Sequence, residues 1–236
     1  MSVIATWAAH HIKPADGYPA SLLGYWKPTA TLVDEITNTA GSVGGSSIAT
    51  EAASNSGYAL LSDGSGYAAL TSSAVSSMSA SNGLTVMCWL KGLAVPTTFQ
   101  CYLSTQSNPT NAGWSLRNQS DRTKMILMLH DGTISQLVNA DRFPTITVGV
   151  NHYAFRYDPI AGFTSSLKNG VATQWNEPST AVIVPENVVA TNVLTANARA
   201  DGGGTIESGV RMWGVRVYGT LLTQAGIVAA MAEDYV

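Results

Sequence analysis

The 236 residues are 45% hydrophobic, enough to build the core of one large all-β domain or two small ones. Only 11% are charged, against the usual ~25%, so Ser, Thr, Asn, Gly and Ala must cover much of the surface. A net charge of -3 supplies no basic face for nucleic acid, and no stretch approaches the ~20 apolar residues of a membrane helix.

Residues 1–20 read as an extension in front of the folded domain, because Pro14, Gly17 and Pro19 interrupt any regular element. This segment has no basic start, and His10-His11 break its apolar run, so it is not read as a signal peptide and synthesis without one is expected. Its apolar residues Val3, Ile4, Trp7 and Ile12 fit an arm that docks on another subunit or on its own domain.

The strands begin at Leu22–Trp26, with a weaker one at Thr31–Ile36. Residues 38–57 are rich in Gly, Ser, Ala and Asn and read as loop with one short strand at most. Tyr58–Ser62 and Tyr67–Leu70 flank the glycine turn Asp63-Gly64-Ser65-Gly66, and Ser72–Gly83 is a small-residue connection. Leu84–Lys91 is apolar on both faces, as a covered central strand would be. Phe99–Ser104, Trp114–Arg117 and Met125–His130 follow, and Asp131-Gly132 signals a hairpin returning along Ile134–Val138.

The chain is organised around Asn151–Gln174. His152–Tyr157 alternates as a half-buried strand would, with Tyr153, Phe155 and Tyr157 on one face. Asp158-Pro159 ends it. A second run, Phe163–Leu167, reaches Asn169-Gly170, whose residues accept the positive φ of a type I′ turn. The register then sets Lys168 opposite Val171 and Leu167 opposite Ala172. Val188–Thr195 and Val210–Tyr218 supply the last strands around a glycine loop at 201–204. The tail reads as a helix capped by Thr223, with Ile227, Val228 and Met231 as its apolar stripe. Short strands, glycine turns and one terminal helix give an all-β, two-sheet antiparallel jelly-roll sandwich over residues 21–236.

Five segments in order carry a resemblance: YALLSDGSGYAAL around Asp63-Gly64, LTVMCWLKG with Trp89, NHYAFRYD with His152, SSLKNGV, and GVRMWGVRVYGTLLTQAGIVAAM. Together they resemble the concanavalin A-like lectin/glucanase superfamily, in particular its laminin-G-like and pentraxin-like jelly rolls, from about Leu22 to Tyr235. Pentraxin-like members pair a cysteine at the Cys88 position with one near Phe155. Phe155 is not cysteine, so that bridge is absent here. The acidic cluster that holds calcium in pentraxins is not reproduced.

The chemistry is sparse. Cys88 and Cys101 lie in apolar strand runs and read as buried free thiols; a bridge between them is possible only if their strands neighbour in register. The glucanases of the superfamily carry alternating carboxylates on one strand, about 5 Å apart. No strand here has that pattern, and no G-x-S-x-G elbow occurs. The chain is therefore read as a non-enzyme. No cofactor is expected; for calcium the only loop acids to nominate are Asp63, Asp201 and Glu207, and the two aspartates read equally as turn formers beside glycine. His152 reads as a packed histidine. Trp26, Trp89, Trp114 and Trp213 sit in core strands, leaving Trp175, beside Asn176 and Glu177, as the aromatic for stacking on a sugar.

Two function classes follow, the first preferred because a virion protein needs no signal peptide and the second its alternative. One is a structural or adhesion domain of a larger assembly, such as a bacteriophage virion decoration, fibre or tail protein, with other copies or scaffold proteins as partners and the virion surface as its location. The other is a lectin-like module recognising a cell-surface glycan.

Overall fold

The computed structural model describes residues 19–29, 31–44, 46–76, 82–92, 94–106, 108, 110–118, 121–133, 135–137, 143–178, 194–200 and 203–235. Val3, Ile4, Trp7 and Ile12 of the expected arm, and Asp201, lie outside them.

The expected sandwich is present. Strands β1 (Leu22–Trp26), β2 (Val33–Asp34), β3 (Thr39–Ala40), β4 (Ser46–Thr50), β5 (Tyr58–Ser62), β7 (Leu84–Gly92), β12 (Gly149–Asp158), β13 (Phe163–Lys168), β14 (Val171–Pro178) and β16 (Arg211–Tyr218) make one sheet, ordered β14-β13-β12-β7-β16-β1-β2-β3 with β4 and β5 joined to β16. The second sheet runs β11 (Ser135–Leu137), β10 (Met125–His130), β9 (Gly113–Asn118), β8 (Cys101–Ser104), β15 (Leu194–Ala196) and β6 (Ala68–Leu70). All named pairings are antiparallel. Between the sheets lies a core that includes Trp26, Leu84, Val86, Trp114, Leu116, Tyr153, Phe155 and Val217.

The Asn169-Gly170 turn fixes the register as its residues demand. Their φ angles are 51° and 77°, and Lys168 faces Val171 and Leu167 faces Ala172. The Asp131-Gly132 hairpin also forms, pairing β10 with β11. Cys88 and Cys101 are buried and unbridged, one on each sheet; burial pushes the Cys88 thiol up to about 12.

Tyr58–Ser62 and Ala68–Leu70 flank the glycine turn as read, but they belong to different sheets: β5 pairs with β4 and β16, whereas β6 pairs with β15. The glycine turn between them therefore crosses the sandwich edge. The 38–57 segment holds β3 and β4 rather than one strand, and the 72–83 connection contains the short helix α1 (Ser73–Ser76), which buries Val75.

A further correction concerns β12, which is not half-buried. Its outward residues His152 and Ala154 are as buried as its inward ones. The cover is the C-terminal helix α2 (Gln224–Glu233), capped by the Thr223 hydroxyl accepting from Gly226 N–H at 3.1 Å. Ile227 and Ala230 pack on Met87, Ala154 and Leu167, while Val228 and Met231 are only partly buried.

The residues after α2 also pack onto this sheet. His152, Trp89 and Trp213 stand side by side across β12, β7 and β16. Trp89 stacks on Trp213 at 5.9 Å and on Tyr235 at 4.6 Å. The indole N–H of Trp89 donates to Met231 O and that of Trp213 to Asp234 O. The buried Asp234 carboxylate accepts from Arg216 Nε at 2.9 Å and from the Tyr25 hydroxyl, and Arg216 Nη2 reaches Glu233 at 2.9 Å. Asp234 can approach this closely because residue 214 is glycine: a Cβ there would lie 2.8 Å from the carboxyl carbon.

Candidate functional site

The acids and aromatics singled out in the sequence fall in separate places. Asp63 closes its own turn, accepting from Ser65 N–H and Ser65 Oγ, both at 2.8 Å. That turn rests on the 206–209 loop, where Ser62 Oγ donates to Ile206 O and Gly209 N–H donates to Ser62 O. Glu207, in the same loop, faces Thr97 instead. No three His, Cys, Asp or Glu residues converge on a metal-sized point among the described residues.

Trp175 is the least buried of the described tryptophans, and it is only half-exposed. The Arg156 guanidinium lies 4.3 Å over its ring, so one stacking face is already occupied. Asn176 takes a left-handed φ of 51° at a register shift between β13 and β14, and its N–H donates to Ser165 Oγ at 2.9 Å. Glu177 stands opposite Thr164. His152 is a packed histidine, edge-on to Trp89 at 5.2 Å.

A different set of residues forms a cleft at one end of the sandwich, where β7 ends and β12 and β8 begin. Leu90, Pro96, Ile146 and Val210 make apolar walls, and Gln100, Tyr102, Tyr153 and Glu207 bring polar atoms to it. It has room for roughly one water-sized group.

Each polar group is placed by its neighbours. Gln100 N–H donates to Asn118 Oδ1 at 2.8 Å, Asn118 N–H returns to Gln100 O at 3.0 Å, and Asn118 Nδ2 holds Thr98 O at 2.7 Å. This clamp fixes the start of β8. Two residues on, the Tyr102 hydroxyl donates to Gln100 Oε1 at 3.0 Å. The Gln100 side chain is 1% exposed, and its Nε2 has no hydrogen-bond partner. Glu207 Oε1 accepts from Thr97 N–H at 3.3 Å and Thr97 Oγ1 at 3.4 Å. Burial raises the Tyr102 hydroxyl well above its ordinary range and takes that of Tyr153 to about 12, so both stay protonated. The cleft thus offers amide donors, hydroxyls and one carboxylate between apolar walls.

Phe99 faces away from the cleft, against Gly204 and under the Arg117 and Arg199 guanidinium groups. Of this site only Glu207 is nominated from the sequence, as a calcium acid; Gln100 is legible there only as an amide interrupting the apolar run of Phe99–Ser104. Tyr102, Tyr153 and Thr97 carried no signal.

No family model and no curated protein matches the chain. Solved structures do. Domain 4 of AbnA, a GH43 extracellular arabinanase from Geobacillus stearothermophilus, in complex with arabinotriose, superposes with a TM-score of 0.62 at 17% identity, over 90% of this chain and 99% of that one. Botulinum neurotoxin type C, whose cell entry depends on interaction with two ganglioside molecules, gives 0.60 at 12% identity, over 90% of this chain and 51% of that one. Trypanosoma rangeli sialidase in complex with sialic acid gives 0.59 at 14% identity, over 95% of this chain and 37% of that one. The chain therefore spans all of the arabinanase domain, about half of the neurotoxin chain and about a third of the sialidase. At these identities the shared property is the fold, a lectin-like β-sandwich of two antiparallel sheets.

Proposed function

We propose that this chain is a non-catalytic, lectin-like carbohydrate-binding module of the laminin-G-like type. The observation that carries the reading is the end-of-sandwich cleft, where a buried, unpartnered amide and one carboxylate stand between apolar walls. Sugars are bound by such sets of a few placed polar groups on an apolar floor. Hydrolysis would need a second carboxyl group about 5–10 Å from the first, and Glu207 is the sole carboxylate lining the cleft among the described residues. Supporting this, a domain of the same fold and extent was solved in complex with arabinotriose.

Titration of the whole chain with neutral and sialylated oligosaccharides, followed by calorimetry, tests the reading. Binding of at least one with Kd of about 1 mM or tighter is expected, without release of reducing ends. No heat with any of them, or release of reducing ends that is lost on substituting Glu207, sinks it.

The setting we propose is a larger assembly, such as the surface of a bacteriophage virion. It rests on the low charge of the chain and on the apolar Val3, Ile4, Trp7 and Ile12. Deleting residues 2–19 should leave the sandwich folded and abolish self-association or incorporation into particles; normal assembly of the truncated chain refutes it.

A further inference from the structure

We infer that the Gln100–Glu207 cleft binds one hydroxyl or hydroxymethyl arm of an uncharged sugar, with Gln100 Nε2 donating to it and the Glu207 carboxylate accepting from it. This rests on the carbohydrate-binding reading and names the site and the ligand class within it.

The first ground is the state of Gln100. Its oxygen is taken by the Tyr102 hydroxyl, which fixes the amide so that the NH2 group has no partner. A buried amide left without a hydrogen bond is costly, and an arriving hydroxyl oxygen relieves that cost. The second ground is Glu207. Among its printed contacts Oε1 is held by Thr97, and no cation pairs with the carboxylate among the described residues, so Oε2 is available to accept from a hydroxyl. A hydroxyl both accepts and donates, and so answers both groups at once.

Size and charge narrow the ligand. The space suits one small polar arm rather than a whole ring. The rest of the sugar must then lie outside the cleft. Among the described residues no Lys or Arg lines the cleft. The cations at this end are engaged elsewhere: Lys168 Nζ donates to Thr145 O and Thr147 Oγ1, and Arg117 and Arg199 lie over the Phe99 ring at 5.4 and 5.8 Å. An acidic sugar would therefore bring its carboxylate to Glu207 without a lining cation to offset it.

The test uses the full chain, its Gln100→Met, Glu207→Gln and Trp175→Ala variants, and as probes arabinotriose, cellotriose and lactose against sialyllactose. Gln100→Met keeps the length of the side chain and removes the donors. We expect a neutral probe to bind, and both cleft variants to bind it about tenfold or more weakly, the size of one lost hydrogen bond to a buried group, while Trp175→Ala binds normally. In the unsubstituted chain the Gln100 side-chain NH2 resonance should shift during the titration, which reads the contact even where Gln100→Met fails to fold. If a neutral probe binds equally well to both cleft variants and the NH2 signal stays still, the cleft is not the site, although the module reading stands. Tighter binding of sialyllactose than of every neutral probe overturns the ligand class. Absence of binding by all four probes removes the carbohydrate reading and this inference with it.

Discussion

His152 makes the stability of the fold depend on pH, and the size of the effect can be worked out. The ring is 1% exposed, packs edge-on against Trp89, and its Nδ1 has no hydrogen-bond partner. Burial first, and the positive charge of Arg216 second, lower its pKa from 6.5 to about 3. A depressed pKa means that the unfolded chain takes up a proton before the folded one does. The folded state is thus at full advantage above pH 6.5, and that advantage drains away as the pH falls from 6.5 toward 3. At about 1.4 kcal/mol per unit, the two units between 6.5 and 4.5 amount to about 3 kcal/mol. Carboxylates contribute their own acid sensitivity, so the measurement must be a difference. Unfolding free energies from urea titrations at pH 7 and pH 4.5 are compared for the parent chain and His152→Gln. The parent should lose about 3 kcal/mol more than the variant over this interval. Equal losses in the two chains would mean that His152 titrates in the folded state, and the account of its burial would be refuted.

Three further outcomes are expected. Gly170→Val should cost about 1–3 kcal/mol, because φ is 77° there and a Cβ would meet Val228 Cγ2 at 3.1 Å; unchanged thermal stability would contradict the turn assignment. Asp234→Ala should cost about 3–5 kcal/mol in urea unfolding, because it strips the buried Arg216 of one partner; a loss below about 1 kcal/mol would show that Glu233 alone suffices. Calcium should raise the melting temperature little, since Asp63 serves its own turn and Glu207 serves Thr97; a rise of several degrees with calcium, lost in Asp201→Ala, would show that this loop holds the ion.

Local signals were legible where the physics is local. Asn169-Gly170 sets its register within four residues, because positive φ is a property of those two residues alone. Asp131-Gly132 and the Thr223 cap are of the same kind. The Asp63-Gly64 turn was readable as a turn, but not as a crossing from one sheet to the other. That depends on which partners β5 and β6 find, and those partners, β16 and β15, lie more than a hundred residues away. The burial of His152 was likewise invisible from alternation. An alternating strand reads as half-exposed unless something covers its polar face, and here the cover is residues 224–235.

The candidate site follows the same division, taken one step further. Trp175 drew attention because a lone aromatic among polar residues reads as a stacking platform. Yet the ring finds its partner, Arg156, on a strand two places away. Gln100 drew none, because a single amide in an apolar run reads as an interruption. Its meaning comes from three non-local facts. Asn118 of β9 clamps its backbone, Tyr102 takes its oxygen, and the 203–210 loop brings Glu207 to the same opening. A polar group can stay buried and partly unsatisfied only where the surrounding fold over-determines it, and that combination identifies a position reserved for something other than packing. By that criterion the Arg216–Asp234 pair is structural, since its charges meet each other, whereas the Gln100 amide keeps an unpartnered donor beside an open cleft.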